Sequence, residues 1–561
     1  MKEMFFYKHN PIVKKVFLTM LAPTILMNLT TAIGSMADTV IIGQYLDDLS
    51  LSVVTFALPI FMAINILAAL FAVGGCIAMS IDSGKGKKEN ANKAFSISME
   101  LMAFTGILLL LAGVFFSDAI TGLLGAEKDV FDLVEIYVRI ILIGGPVFII
   151  NMGLAFFVRN DGRPTLSMIG MFSSIISDII LNFVFVGYME MGVAGAAYST
   201  VIGNGISILI LITHFFSRKN TLKFKFAFDS TIIRIIKNGG SSALNFVYQF
   251  VTILIMNHLL ASLAGTNGIV IYTVVFNLTT VSLSVFEGIS QTIQPMVSTY
   301  YGEKSYKNIK ETLRLAFMAV LLICGIVTVL LEIFPQIVPI LFGVDDADLI
   351  QKSSQAVRIY SVSMIVTTLN VVIGYYLQSI EQSLLSAVLI SLRSLVVFLL
   401  ATFILGYIFG MNGIWSAYIV AETVSFVIGV LMIKAKQHKL ENVNILLLDK
   451  ETSDSIDIYT CNIKKDSFTD FKKYVVSELK NSENISDHSL KATLLHLCET
   501  EKNLISKNGS YVEVEVNNKD NKVIVRDNCT NDKINIKSYN LNESSSYSPV
   551  LGFNRLCLEG D

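Results

Sequence analysis

Charge is scarce in this chain. Only 16% of its 561 residues are Asp, Glu, Lys or Arg, whereas soluble domains carry about a quarter. Hydrophobic residues make up 53%, and mean hydropathy is +0.62. An ordinary soluble domain is excluded. The six cysteines have no metal-ligand spacing: Cys76 and Cys324 fall in apolar runs and the other four in a polar tail, so no disulfide framework is read. A net charge of −2 gives no sign of a nucleic-acid partner. No cleavable signal peptide is evident, because Lys14 and Lys15 lead straight into a full-length apolar run. Tryptophan is reduced to Trp415, at the outer end of the last run, where an interfacial aromatic residue is expected.

What is present is apolar length. Runs near 16–42, 51–79, 94–116, 133–158, 165–187, 193–216, 233–262, 268–298, 311–334, 354–379, 384–408 and 414–434 each reach the roughly 20 residues needed to cross a bilayer. The fold class expected is an all-α polytopic membrane protein with 12 transmembrane helices. Basic residues gather before the first run (Lys2, Lys8, Lys14, Lys15) and in the even loops, such as Lys85, Lys87, Lys88 and Lys93, or Arg218, Lys219, Lys223 and Lys225. The odd loops are acidic or neutral, for example Glu127, Asp129 and Asp132. This alternation predicts a multi-pass protein of the cell membrane with both termini cytoplasmic.

The apolar part repeats itself at an offset of 218 residues. Gly84 corresponds to Gly302, and Gly192-Val-Ala-Gly195 to Gly410-Met-Asn-Gly413. Two parallel six-helix repeats follow, with a site expected between them. The domains read as 1–220, a first six-helix lobe, 221–440, a second, and 441–561, a small α+β cytoplasmic tail. In the tail "TLLHLCETEKNLI" reads as an amphipathic helix, while "YVEVEV" and "KVIVRD" alternate like paired strands.

The first run carries a polar stripe: Thr24, Asn28, Thr31, Ser35 and Asp38, in steps of four and three that place all five on one helix face. A carboxylate facing lipid is expensive, so Asp38 is expected to face the protein interior or a water-filled cavity, as transport requires. Pro23 is expected to kink this helix. The seventh run has its own stripe, Ser242, Asn245, Gln249 and Thr252, but Met256 stands where the repeat would place the acid.

At "MADTVIIG" (36–43), "FVRNDGRP" (157–164), "GVAGAAYSTVIGN" (192–204), "EGISQTIQPMVSTYYGE" (287–303) and "GIWSAYIVAE" (413–422) the chain resembles the multidrug and toxic compound extrusion (MATE) transporters, in the branch of DinF-like and MepA-like exporters. The resemblance covers about residues 10–435. It implies an antiporter, not an enzyme, that expels organic cations in exchange for H⁺ or Na⁺ by rocking two lobes. Two departures stand out. The fifth-span pair reads Asp178 then Asn182, with the carboxylate one turn early, and the seventh span has Tyr248, Gln249 and Phe250 where the sodium-type branch has a glutamate. Proton coupling through the first lobe is favoured.

On this reading Asp38 is the coupling acid, with Asn28, Thr31 and Ser35 beside it and Asp178 and Asn182 in the same cluster. Gln249, Asn245, Glu287, Glu422, Tyr272 and Tyr375 are expected to line a cavity for lipophilic cations. Arg393 either snorkels or pairs with one of the acids, and an acid so paired would be structural or gating. The tail resembles the ATP-binding domain of the histidine-kinase and anti-sigma-factor group. Glu499 and Asn503 match its Mg²⁺-holding helix, Asp527 its adenine-reading aspartate, and Gly552 its phosphate segment, although Cys529 replaces a glycine. That implies ATP and Mg²⁺ at the tail, or else a degenerate regulatory or partner-binding module. No other cofactor is expected. The partners expected are the lipid bilayer and small organic cations, around a monomeric transporter. A lipid-linked sugar flippase would want a basic cavity, and a membrane sensor would not need a repeated core.

Overall fold

A computed structural model of the chain describes residues 10–45, 48–126, 129–217, 219–226, 229–462, 468–481, 485, 487–502, 511–527, 544–548, 551 and 553–559; within these, the side chains of residues 35–44 and of several others are not described. Among the described residues, nine helices are long and apolar enough to cross a membrane: Pro11–Gly34, Val53–Gly84, Lys88–Phe115, Pro164–Tyr188, Gly192–Phe216, Thr231–Leu260, Gly268–Glu303, Tyr306–Ile333 and Ser383–Lys439. Two bent pairs add a crossing each, Phe131–Ile143 with Gly145–Asn160 and Ala347–Ser361 with Met364–Ser379, both bent by 46°. The 57 residues of Ser383–Lys439 would measure about 85 Å as one helix, far more than a bilayer. Gly410 breaks that helix with φ 61° and ψ −140°. Counted in chain order, the described residues therefore make twelve spans.

The 218-residue repeat is written into the backbone. Gly192 and Gly410 open the sixth and twelfth spans with φ of 60° and 61°, the left-handed region where a side chain is strained. Trp415 is a correction to the sequence reading. It is 2% exposed, inside the second-lobe core, and not at an interfacial belt. The cause lies two residues earlier: Gly413 packs so closely on Leu405 that a Cβ would stand 1.9 Å from its carbonyl oxygen, which folds the start of the twelfth span inward.

Two apolar cores occupy the membrane part. One joins Val53, Cys76, Phe95, Val138, Phe157 and Ala197, from spans two to six. The other joins Tyr272, Met296, Val320, Val372 and Trp415, from spans seven to twelve, and also takes Ile12, Val16, Phe17 and Met20 from the first span. The first span is thus shared. Its first half packs on the second lobe, where Gly288 lies against Ile25. Its second half meets the fifth span, where Gly34 lies against Ile175. Pro23 sits just before Ile25, near the changeover.

The tail is a five-stranded antiparallel sheet in the order β1-β2-β3-β5-β4, with β1 Ile456–Asn462, β2 Tyr511–Asn517, β3 Lys522–Asp527, β4 Ser544–Ser548 and β5 Phe553–Glu559. Alternation gives each strand two faces. Val512, Val514, Val523, Val525, Leu556 and Leu558 pack under the helices Phe468–Asn481 and Asp487–Lys502, against Phe471, Val475 and Leu497. Glu513, Glu515, Arg526 and Arg555 occupy the other face and are also buried, at 0–3% exposure. What covers them is the membrane part itself.

Candidate functional site

The polar stripe begins inside the protein. Thr24 is 1% exposed and donates to the Met20 carbonyl at 2.7 Å, the local bond a helical threonine makes when no other partner is offered. Asn28 reaches the eighth span, exchanging bonds with the Gln291 amide at 3.2 and 3.3 Å. Thr31 is exposed. Leu26 and Ile33, 49% and 55% exposed, form the apolar lipid-facing side of this helix. At 100° per residue Thr31 points about 140–160° away from them, so its exposure is to the space between the lobes and not to lipid.

Asp38 and Ser35 lie on the same helix, which continues to Tyr45, but their side chains fall outside the described residues. A Cβ on Gly34 would stand 2.7 Å from Ile175, so the first and fifth spans touch one turn before Asp38. Asp178 follows one turn after Ile175 and is 6% exposed; Asn182 donates to it at 3.3 Å. The sixth span closes the group, because Gly203 lies against the Ser174 carbonyl and the Asp178 Cβ. Three spans therefore converge on Asp178 beside the stripe.

The second lobe holds a different arrangement. Asn245, Gln249, Glu287 and Tyr375 are half-buried, while Tyr272 is packed in the core against Phe276. Glu422 differs from the expected substrate contact. Arg393 pairs with it at 2.7 Å, and a second Arg393 nitrogen lies 3.1 and 3.2 Å from both its oxygens. Asn370 adds a bond at 2.7 Å. A two-pronged guanidinium fork leaves little of the carboxylate for a cation, so this acid holds the tenth, eleventh and twelfth spans together. Arg393 does not snorkel. It sits in the π-helical stretch Leu392–Val396, which turns it inward.

From the sequence, Arg159 reads as a basic charge of the fourth loop, within the motif at 157–164, and that reading is corrected. The structure places it between the lobes at 0% exposure. It donates to Gln291 at 2.6 Å and to Gln294 at 3.4 Å, and its guanidinium lies 4.6 Å from the Phe156 ring centre. Gln291 thus joins the first, fourth and eighth spans. Nearer the tail, Arg234 of the seventh span bonds Asp82 of the second at 2.8 Å and also pairs with Glu381. Gly74 lies against the Ile235 carbonyl, and Gly239 against that of Leu70. At the end of the bundle that carries the tail, the lobes are shut.

Of the tail residues singled out for nucleotide binding, Asn503 and Gly552 lie outside the described residues, as does the Glu499 side chain. Asp527 is fully buried and lies 3.1 Å from the His496 ring nitrogen.

Comparison with known proteins bears on the whole membrane part. The MatE family model matches residues 23–184 and 240–409. The multidrug export protein MepA of Staphylococcus saprophyticus is 23% identical over 446 residues, which cover 78% of this chain and 97% of the relative. That of Staphylococcus haemolyticus is 23% identical over 453 residues, 80% and 99% of the two chains. Among solved structures, the outward-facing conformation of a multidrug resistance MATE transporter of the MOP superfamily superposes with a TM-score of 0.72 at 21% identity, over 77% of this chain and 99% of the other. A MOP superfamily transporter from Pyrococcus furiosus gives 0.71 at 21%, over 78% and 99%. The fold of residues outside the tail is that of these transporters.

Proposed function

Because the chain belongs to the MatE family, we propose that it exports organic cations from the cell by antiport, with protons as the driving ion. The observation that carries this is the stripe on the first span. Thr31 faces the space between the lobes, and Asp178 lies buried just behind it where the first, fifth and sixth spans meet. A wet cleft with carboxylates in its wall offers negative charge to a cation and a group that exchanges protons. Asp38 and Asp178 are the acids that the first and fifth spans carry, while Glu422 is occupied by Arg393. That leaves Glu287, Asn245, Gln249 and Tyr375 as the polar lining contributed by the second lobe.

The positive even loops set both ends of the chain in the cytoplasm. The end shut by Arg234, Asp82 and Glu381 is then the cytoplasmic one. The test is uptake of a fluorescent lipophilic cation into everted vesicles, with ΔpH and ΔpNa imposed separately. Uptake driven by ΔpH alone is expected. Drive by ΔpNa alone would transfer the coupling to sodium, and no drive by either would reject the antiporter.

A further inference from the structure

Arg526 and Arg555 face each other directly across β3 and β5, on the side of the sheet away from its own helices. Like charges so placed repel, and both are buried, at 1% and 3% exposure. Acids must therefore accompany them. Glu513 and Glu515 of β2 serve Arg526, at 2.8 Å for Glu515. The remaining acid comes from the membrane part. Glu303, at the end of the eighth span, pairs with Arg526 at 2.5 Å and with Arg555 at 3.0 Å. Among the described residues it is the carboxylate paired with Arg555. The polar face of the sheet is thus electrically incomplete without Glu303.

Most of the docking contacts go to the second lobe. Ser305 donates to Glu515 at 2.5 Å, Asn308 donates to Glu513 at 3.2 Å, and Lys304 pairs with Asp520 at 3.0 Å. The connecting segment adds Leu447 and Leu448, buried in the second-lobe core. Arg555 reaches further. Its two terminal nitrogens donate to the carbonyls of Gly84 at 2.7 Å and Ser83 at 3.2 Å, at the C-terminal end of the second span. Carbonyls at a helix end carry partial negative charge and have lone pairs left to offer, that of Ser83 in addition to the one that takes the Gly86 N–H at 3.0 Å. One side chain therefore grips the first lobe while its partner acid belongs to the second. Both are within its reach only while Gly84 lies against Thr299, that is, while the lobes are shut at this end.

We propose that the tail is a conformational clamp: seated on the second lobe, it holds the end of the second span through Arg555 and favours the arrangement closed at the tail side. A group that binds one of two conformations shifts the balance toward it by the difference in contact energy and no more. Opening this end carries Ser83 and Gly84 away from Glu303, so Arg555 must release one or the other. The clamp slows the opening step of each transport cycle, and anything that draws the tail's polar face away speeds it. The proposal rests on the two-lobe exporter reading for its consequence in transport, but not for its test.

The test is labelling of a cysteine at position 299 in the full chain. Thr299 is 0% exposed and sits on the closing contact. Cys461, 0% exposed in the tail's own core, reports any unfolding of the tail in the same sample. With Thr299→Cys as reporter, Arg555→Ala is expected to speed maleimide labelling at 299 about tenfold, the size of effect that loss of charged hydrogen bonds brings, while Cys461 stays protected. Arg555→Lys, which keeps the charge and loses the fork, should fall between. Unchanged labelling at 299 in Arg555→Ala overturns the clamp, as does acceleration that appears only together with labelling of Cys461. The readout needs no cargo, so a failed export assay would not be confused with a failed clamp.

Discussion

Gly84 and Gly302 each lie against the backbone of the other's helix. A Cβ on Gly84 would stand 2.1 Å from the Thr299 carbonyl oxygen, and one on Gly302 would stand 2.1 Å from that of Ile81. The 218-residue repeat relates the two glycines, and it relates Ile81 to Thr299 as well, so the lobes close through a pseudo-twofold contact. Only a residue without a Cβ permits this approach.

Gly84→Ala and Gly302→Ala should therefore wedge the lobes apart at this end. Overpacking costs about 1–3 kcal/mol where the neighbours are held, and here the neighbour is backbone. Export should fall in either variant, while expression and thermal stability of each lobe change little. Labelling of a cysteine at position 299 should accelerate in parallel. Export at the native rate in both variants would show that the closure is not part of the cycle.

The Arg393–Glu422 pair gives a different outcome. Both side chains are 9% exposed, and Asn370 completes the carboxylate. Removing one partner leaves a charge buried without its counter-ion, at a cost of about 3–5 kcal/mol, whereas removing both with apolar residues of similar volume is often neutral. Glu422→Gln should lower the melting temperature in detergent strongly. Arg393→Met combined with Glu422→Leu should recover most of it. A cation-binding role for Glu422 predicts the reverse: a small stability change for Glu422→Gln and loss of cargo binding.

The contrast between these contacts shows what the sequence could and could not disclose. Span number, the repeat and the paired openings at Gly192 and Gly410 were legible, because run length, loop charge and glycine spacing are local in the chain. The stripe was legible for the same reason: its five positions share one helix. Pairing across helices was not. Nothing local says that Arg393 takes Glu422 and leaves Glu287. Trp415 looked interfacial because its burial depends on how Gly413 meets Leu405. "YVEVEV" announced a strand with one polar face, and alternation alone suggests that such a face meets water. It is dry because Glu303 lies 223 residues from Arg526 in sequence and 2.5 Å from it in space.

Burial of that face has a pH signature. Burial raises the Glu515 carboxyl above the ordinary carboxylate range; Arg526 opposes the shift and Glu513 adds to it. The groups facing it are Glu513, Arg526, Ser305 and, beyond Arg526, Glu303. Arg526 is held well above its usual value by the surrounding acids, burial notwithstanding, and stays charged throughout. A carboxyl whose docked value is raised favours docking fully below its free value, about 4.3, and loses that contribution as pH rises through the docked value. Labelling at position 299, taken at each pH relative to that of a small free thiol so that the thiolate fraction cancels, should therefore quicken as pH rises through this interval. In Glu515→Gln the dependence should flatten. A profile that survives the substitution assigns the titration to another group.

The coupling acid gives the sharpest prediction. The first span touches the fifth at Gly34 and Ile175, so Asp38 and Asp178 each lie one turn beyond that contact on facing helices. The second lobe offers no matching acid, because Met256 holds the equivalent place, at 0% exposure. Asp38→Asn keeps size and hydrogen bonding and removes titration. Export driven by ΔpH should fall to background while the protein still inserts and stays folded. Cargo binding in detergent should persist with a flattened pH dependence, since the titrating group is gone. Asp178 already shares its carboxylate with Asn182, so Asp178→Asn should slow export without abolishing it. If Asp38→Asn exports at the native rate and Glu287→Gln does not, the proton travels through the second lobe, on Glu287, an acid that Arg393 does not clasp.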